Sequence, residues 1–199
     1  AGATHSPLGP LAYGERAEVP WMSSISTPLL LNGAPQADLW LTGGRVDSGH
    51  SGAARWRTDG RWAFGTIDLA DRGAGLEPLA EAAYRDLFQA LAETDCPHLL
   101  RIWNYLPRIN EDGGGLERYR QFNIGRQQAF IDAGQGVYEG SPAACALGVQ
   151  RGGLSIRFLA GQAAPLAIEN PRQVSAYRYP RSYGPRPPTF SRAGLADLV

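Results

Sequence analysis

The sequence predicts an α+β fold, a mixed β-sheet with two helices packed on one face. Three observations predict it. Residues 76–94 and 116–133 carry large side chains at helical intervals. A nearly continuous apolar run of strand length, residues 98–106, lies between them. Short strand-like runs separated by turn residues flank this helix–strand–helix unit on both sides.

In chain order, residues 1–36 are rich in Gly, Pro and Ser and show no sustained period; they read as an irregular arm with room for one short strand. Leu39, Leu41 and Val46 belong to a strand entering Thr42-Gly43-Gly44. The runs 54–57 and 62–67 flank Thr58-Asp59-Gly60-Arg61, and an Asp-Gly between aromatic-bearing runs signals a hairpin. Trp62, Phe64 and Thr66 share one face, because strand side chains alternate. In residues 76–94, Leu76, Leu79, Ala83, Leu87 and Leu91 form one helical stripe. Pro78 fits the first turn, where its missing N–H costs little, and Pro97 stops the helix. The run 98–106 then reads as a central strand covered on both faces.

Asn110-Glu-Asp-Gly-Gly-Gly115 is a loop. The second helix, 116–133, closes on Gly134 as its C-cap. Its stripe mixes Leu116, Tyr119 and Phe130 with Asn123 and Arg126. An Arg on such a face must be ion-paired, snorkel from the core edge, or reach a wet or anionic cavity. Residues 144–150 and 154–159, joined by Arg151-Gly152-Gly153, read as a hairpin, and 163–168 as a further strand.

The chain has 199 residues, 19 Arg, no Lys, 19 acidic residues and zero net charge. That length fits one large domain, or one domain plus part of another. A hydrophobic share of 43% excludes a disordered chain. Charge neutrality argues against attachment to nucleic acid or membrane by bulk charge. No apolar run approaches a membrane span, and residues 1–10 lack a signal peptide pattern, so a cytoplasmic protein is expected. Without Lys there is no Schiff base, and any side-chain cation meeting an anion is an Arg. Cys96 and Cys145, and His5, His50 and His98, are dispersed, so no metal site is readable.

Residues 171–192 differ from the rest: five Arg, five Pro, three Tyr and no acid. The segment suits an Arg-lined wall for a small carboxylate or phosphate, a packed linker stiffened by Pro, or a single-strand nucleic-acid contact.

Leu100-Arg-Ile-Trp-Asn-Tyr-Leu-Pro-Arg-Ile-Asn110, Leu116-Glu-Arg-Tyr-Arg-Gln-Phe-Asn-Ile-Gly-Arg126 with Ala129-Phe130, and the whole of 171–193 together resemble the chorismatase family. Those enzymes act on chorismate and are related in fold to RidA (YjgF-like, chorismate-mutase-like) proteins. Asn123 departs from the pattern, standing where Cys is expected in many relatives. The resemblance implies an N-terminal RidA-like domain at 37–170 after the arm, a Pro/Arg/Tyr-rich connector at 171–188, and at 189–199 the first strand of a truncated C-terminal RidA-like domain. The other half, missing or a separate chain, is the expected partner and would carry the general acid, beyond Val199.

The implied reaction is loss of pyruvate from chorismate, without metal or cofactor. An acid protonates the enolpyruvyl group. Water attack then gives a dihydroxycyclohexadiene carboxylate, and attack by the ring hydroxyl leads toward a hydroxybenzoate such as 3-hydroxybenzoate. Chorismate is a dianion, so the binding candidates are Arg181, Tyr183, Arg186 and Arg192, in the segment leading into the second domain. Arg178 is set aside, because in an extended stretch Tyr177 and Tyr179 face away from it. Glu111, Glu117, Glu139 and Glu169 are available, but nothing places one beside these Arg. Trp103, Tyr105 and Tyr119 suit a core or interdomain surface, with Arg101, Arg118 and Arg126 as salt-bridging buttresses. The alternatives are a RidA-like imine deaminase or small-molecule binder, and a nucleic-acid or interaction module acting through 171–192.

Overall fold

A computed structural model describes residues 5–13, 25, 36–149 and 151–196. Much of the expected arm, Gln150 of the expected strand 144–150, and residues 197–199 of the expected strand 189–199 lie outside the described residues. The strands are β1 (Ser6–Tyr13), β2 (Gln36–Thr42), β3 (Asp47–Ser51), β4 (Ala54–Thr58) and β5 (Trp62–Leu69), followed by helix α1 (Leu76–Ala92). Then come β6 (His98–Pro107), α2 (Arg118–Asp132), β7 (Ala143–Val149), β8 (Leu154–Gly161), β9 (Leu166–Ile168) and β10 (Ala193–Leu195).

Six strands form one mixed sheet in the order β3-β4-β5-β8-β6-β7. Only β6 and β7 run parallel. Residues alternate across it. Ala63, Ile67, Ile102, Leu106, Ile156 and Phe158 join Leu76, Tyr84, Leu87, Phe122 and Phe130 of the two helices in one core. The opposite face of β6 is covered by the arm: Leu11 and Ile25 bury against Tyr105 and Val149. The Tyr13 and Tyr105 hydroxyls lie 2.9 Å apart there. Coverage on both faces is what the unbroken run 98–106 requires.

The Asp-Gly hairpin forms as expected, with Asp59 accepting from the Arg61 and Trp62 amides. The second expected hairpin does not form. β7 pairs with β6, and β8 inserts between β5 and β6. The glycine loop reverses the chain, but β6 lies between the two strands it joins. Burial explains the exchange: β8 hides Ile156, Phe158 and Ala160 completely or nearly so, whereas β7 exposes Leu147 and Gly148, so β8 takes the centre and β7 the edge. Two smaller expectations also shift. Val46 falls in the turn before β3, and only Leu166–Ile168 of the expected strand 163–168 is extended, paired with β10 outside the main sheet.

The helices hold as read, with trimmed ends. The start of α1 has no side-chain cap of its own. Gln121 of α2 supplies it, its Oε1 accepting from the Leu76 amide at 2.9 Å while its Nε2 donates to the Gly113 and Leu116 carbonyls. One buried amide thus ties α1, α2 and the glycine loop. α2 starts at Arg118, leaving Leu116 in the loop. Its end is a Schellman motif: Gly134 at φ +65° donates to Ile131, and Gln135 to Phe130. No helix is long and apolar enough to cross a membrane among the described residues.

Candidate functional site: the cleft between α2 and the connector

The Pro/Arg/Tyr segment is folded against the domain rather than extended. Prolines favour short turns here, and two 3-10 turns form, at Ala176–Arg178 and Arg181–Tyr183. The Arg178 guanidinium consequently lies over the neighbouring Tyr177 ring at 5.8 Å, which replaces the alternation assumed for an extended stretch. The far end of the segment is pinned to the sheet. Ser191 is fully buried, donates to the Ser141 carbonyl at 2.6 Å, and bridges to Ala143.

Between this segment and the N-terminal half of α2 lies a cleft of about 140 Å³. Tyr119 and Asn123 come from α2, one turn apart, and Tyr179, Tyr183 and Arg186 from the connector. Pockets that hold a drug-sized ligand run about 300–1,000 Å³, so this cleft by itself accommodates part of a ligand. Its only carboxylate among the described residues is Glu117, which Arg120 takes at 3.2 Å.

The four expected binding residues separate into two groups. Tyr183 and Arg186 line the cleft. Tyr183 is 65% exposed and its ring sits 5.4 Å from Tyr179. Arg186 Nη2 donates to Gln128 Oε1 at 2.9 Å, while its buried Nη1 has no partner among the described residues. Arg192 closes the connector on itself: Nη2 donates to the Tyr179 hydroxyl at 2.9 Å and the guanidinium lies over Phe190. Arg181 is exposed on its turn and does not line the cleft.

Sequence reasoning left Tyr119, Asn123 and Arg126 off the site, although the mixed polar–apolar stripe of α2 was the signal for them. Burial pushes the Tyr119 hydroxyl's pKa up, while a hydrogen bond with Asn123 and the Arg126 charge pull it down. Arg126 is 2% exposed, stacked between Tyr84 (5.2 Å) and Phe130 (4.9 Å). No salt bridge reaches it among the described residues, so it is not the ion-paired buttress expected. Arg118 is one, 2.6 Å from Asp71, and Arg101 lies over the Trp103 ring.

Below Arg126 the polar column continues inward. The Tyr84 hydroxyl donates to Asn104 Oδ1 at 2.6 Å, and Asn104 Nδ2 donates to the Cys145 carbonyl at 2.8 Å. Burial raises the Tyr84 pKa, against the opposing pull of Arg126, so Tyr84 is a neutral donor at physiological pH. Tyr84→Phe leaves the Asn104 oxygen buried and without that donor. The expected loss is about 1–3 kcal/mol, read from urea unfolding midpoints; an unchanged midpoint would contradict it. Both cysteines are free thiols, and no cluster of three metal-ligating side chains exists among the described residues.

Comparison with known proteins follows the same segments. The profile of the family described as chorismatase FkbO/Hyg5-like, N-terminal, matches residues 38–160. A 3-hydroxybenzoate synthase of Streptomyces hygroscopicus is 34% identical over 193 residues, covering 94% of this chain and 56% of that protein. A chorismatase of the same organism is 37% identical over 158 residues, 78% of this chain and 45% of that protein. A chorismatase crystal structure superposes with a TM-score of 0.76 at 30% identity, covering 96% of this chain and 66% of that one. The chain spans about half the length of the curated relatives it matches.

Proposed function

Because the chain belongs to the chorismatase family, FkbO/Hyg5-like in its N-terminal domain, we propose that it is the N-terminal part of an enzyme that removes pyruvate from chorismate. The observation that carries the proposal is the match of residues 38–160 to that family, extended through the connector by the 193-residue likeness to a 3-hydroxybenzoate synthase. The chemistry of the cleft agrees with it. Chorismate carries two carboxylates and a ring hydroxyl. The cleft offers a guanidinium with a free donor nitrogen, three tyrosines and an amide, a set suited to one carboxylate and its ring.

In this proposal Tyr183 and Arg186 contact the substrate. Arg192 holds Tyr179 in place behind them, and Arg181 lies exposed outside the cleft. The arrangement orients the ring and balances its charge. A carboxylic acid from the C-terminal half protonates the enolpyruvyl carbon. Water attack on the resulting cation releases pyruvate and a dihydroxycyclohexadiene carboxylate; attack by the ring hydroxyl ends in pyruvate and a hydroxybenzoate.

The finer fold belongs to the same proposal: residues 37–170 form a RidA-like half, 171–188 a connector, and 189–199 open a second half. Two features support this. The β9–β10 ribbon stands apart from the six-stranded sheet. It also exposes Leu166, Ile168 and Leu195 at 66%, 43% and 61%, an apolar surface suited to cover by the C-terminal half.

Pyruvate release from chorismate, followed with a lactate dehydrogenase couple, tests the function. One pyruvate per chorismate is expected when the C-terminal half is joined to this chain, and little from residues 1–199 alone. Hydrolysis of 2-imino acids with no chorismate consumed would overturn it in favour of an imine deaminase. In the joined protein, Arg186→Ala is expected to lower kcat/KM about 10- to 100-fold, the equivalent of one charged hydrogen bond. A melting temperature within a few degrees of wild type would accompany the loss; unchanged kcat/KM would remove Arg186 from the site.

A further inference from the structure

Arg126 is a buried cation whose one polar side-chain contact among the described residues is the Tyr84 hydroxyl. Its guanidinium is 2% exposed, and both Nε and Nη2 are buried without a hydrogen-bond partner among the described residues. The Tyr84 and Phe130 faces offer cation–π attraction, which compensates only part of the desolvation of a full charge. No carboxylate of the described residues pairs with it. Methionine would fill such an aromatic box without that cost.

The position of the charge suggests its use. Arg126 lies one turn beyond Asn123 and two beyond Tyr119, on the same helix face. Those two residues and Arg120 are the α2 wall of the cleft. The Tyr119 hydroxyl lies within the field of the Arg126 charge. A charge buried away from water is screened less than an exposed one. Among the described residues Glu117 is the one carboxylate lining the cleft, and it pairs with Arg120 at 3.2 Å, which leaves Arg186 and Arg126 as positive charges with no carboxylate partner among the described residues.

We infer that Arg126 is a positioning residue for an anionic ligand: a fixed positive charge, kept unpaired behind the Tyr119–Asn123 wall, that draws a small organic carboxylate into the cleft. This rests on the reading of the cleft as a carboxylate site. It adds a source of affinity that does not touch the ligand, and a cost in stability that the protein carries for it.

The test uses this chain joined to its C-terminal half, with three probes of similar shape and different charge: benzamide, benzoate and isophthalate. Affinities are measured by calorimetry for wild type, Arg126→Met and Arg126→Lys. In Arg126→Met, benzoate affinity is expected to fall about tenfold and isophthalate affinity further, while benzamide binding stays unchanged. Arg126→Lys restores most of the loss, and the ligand-free melting temperature of Arg126→Met equals or exceeds that of wild type. In the wild-type protein, the Arg126 Nε–H resonance, assigned through contacts to Tyr84 and Phe130, shifts with benzoate and not with benzamide. That last measurement decides the matter even if Arg126→Met does not fold.

Equal losses for the neutral and charged probes, unchanged affinities, or an Nε–H signal blind to benzoate would each overturn the inference, as would no binding of any carboxylate. The two readings fail separately. Charge-dependent carboxylate binding without chorismate turnover in the joined protein would leave Arg126 in its role and remove the chorismatase proposal. Chorismate turnover with a wild-type KM in Arg126→Met would do the reverse.

Discussion

Gly125→Ala is expected to destabilise this protein by about 4 kcal/mol or more, and to lower its melting temperature by about 10 °C or more. Gly125 is where α2 crosses α1. A Cβ there would stand 2.0 Å from the Glu77 carbonyl oxygen and 3.0 Å from the Glu81 amide nitrogen. Both are backbone atoms of α1, so no side-chain rotation relieves the contact and the helices must separate. Separation would loosen the core that Tyr84, Phe88, Phe122 and Phe130 build between them, and would pull Gln121 off the start of α1. Gly43→Ala is the control. A Cβ there meets nothing within 4 Å, and the expected change is within about 0.5 kcal/mol. Thermal unfolding of the two variants side by side checks the pair, and similar melting temperatures would sink the argument.

Asp71→Ala is expected to cost about 3–5 kcal/mol at pH 7, because it strands a buried cation. The Arg118 side chain is 6% exposed and sits 2.6 Å from Asp71, itself 7% exposed. Arg118 Nε also donates to the Pro107 carbonyl at 3.0 Å, so the guanidinium cannot swing out without losing a second bond. Arg108 reaches the same carboxylate at 3.2 Å, from a backbone at φ +53° that a non-glycine residue rarely adopts. The Gly73 amide, together with Arg118 and Arg108, holds the Asp71 pKa below the usual carboxylate value, against a desolvation that raises it.

A carboxyl whose folded pKa is depressed contributes stability that is fully present above its unfolded pKa, near 4. That stability is lost as the pH falls through the folded pKa. The gap between wild type and Asp71→Ala in urea midpoint should therefore be constant from pH 7 to about pH 5 and shrink below about pH 4. A gap that grows in acid would contradict the assignment.

Much of this was legible in the residues. The two helices declared themselves through apolar intervals of three and four, and the end of α2 through Gly134. The first hairpin followed from Asp59-Gly60, and the centrality of β6 from its unbroken apolar run. The connector stood out by composition, and two of its four nominated side chains, Tyr183 and Arg186, line the cleft. Each of these depends on geometry within a few residues, which the chain imposes on itself.

Strand order was not legible, because the glycine loop 151–153 is equally compatible with a hairpin and with a partner strand lying between β7 and β8. The choice follows from which strand buries more on both faces, and that depends on α1, α2 and β1 together. Nor could the residues reveal that β3, poor in strand formers, is extended by its pairing with β4.

The sequence by itself determined the periodic elements, the turn that opens the sheet, the odd polar stripe of α2 and the family motifs. Only the tertiary structure decided that Arg118 finds an acid 47 residues away while Arg126 finds none. It also decided that the connector folds back to make a cleft over that same helix. Partner choice among buried charges is settled by which desolvated groups meet across the whole chain, and residue spacing within one helix carries no record of it.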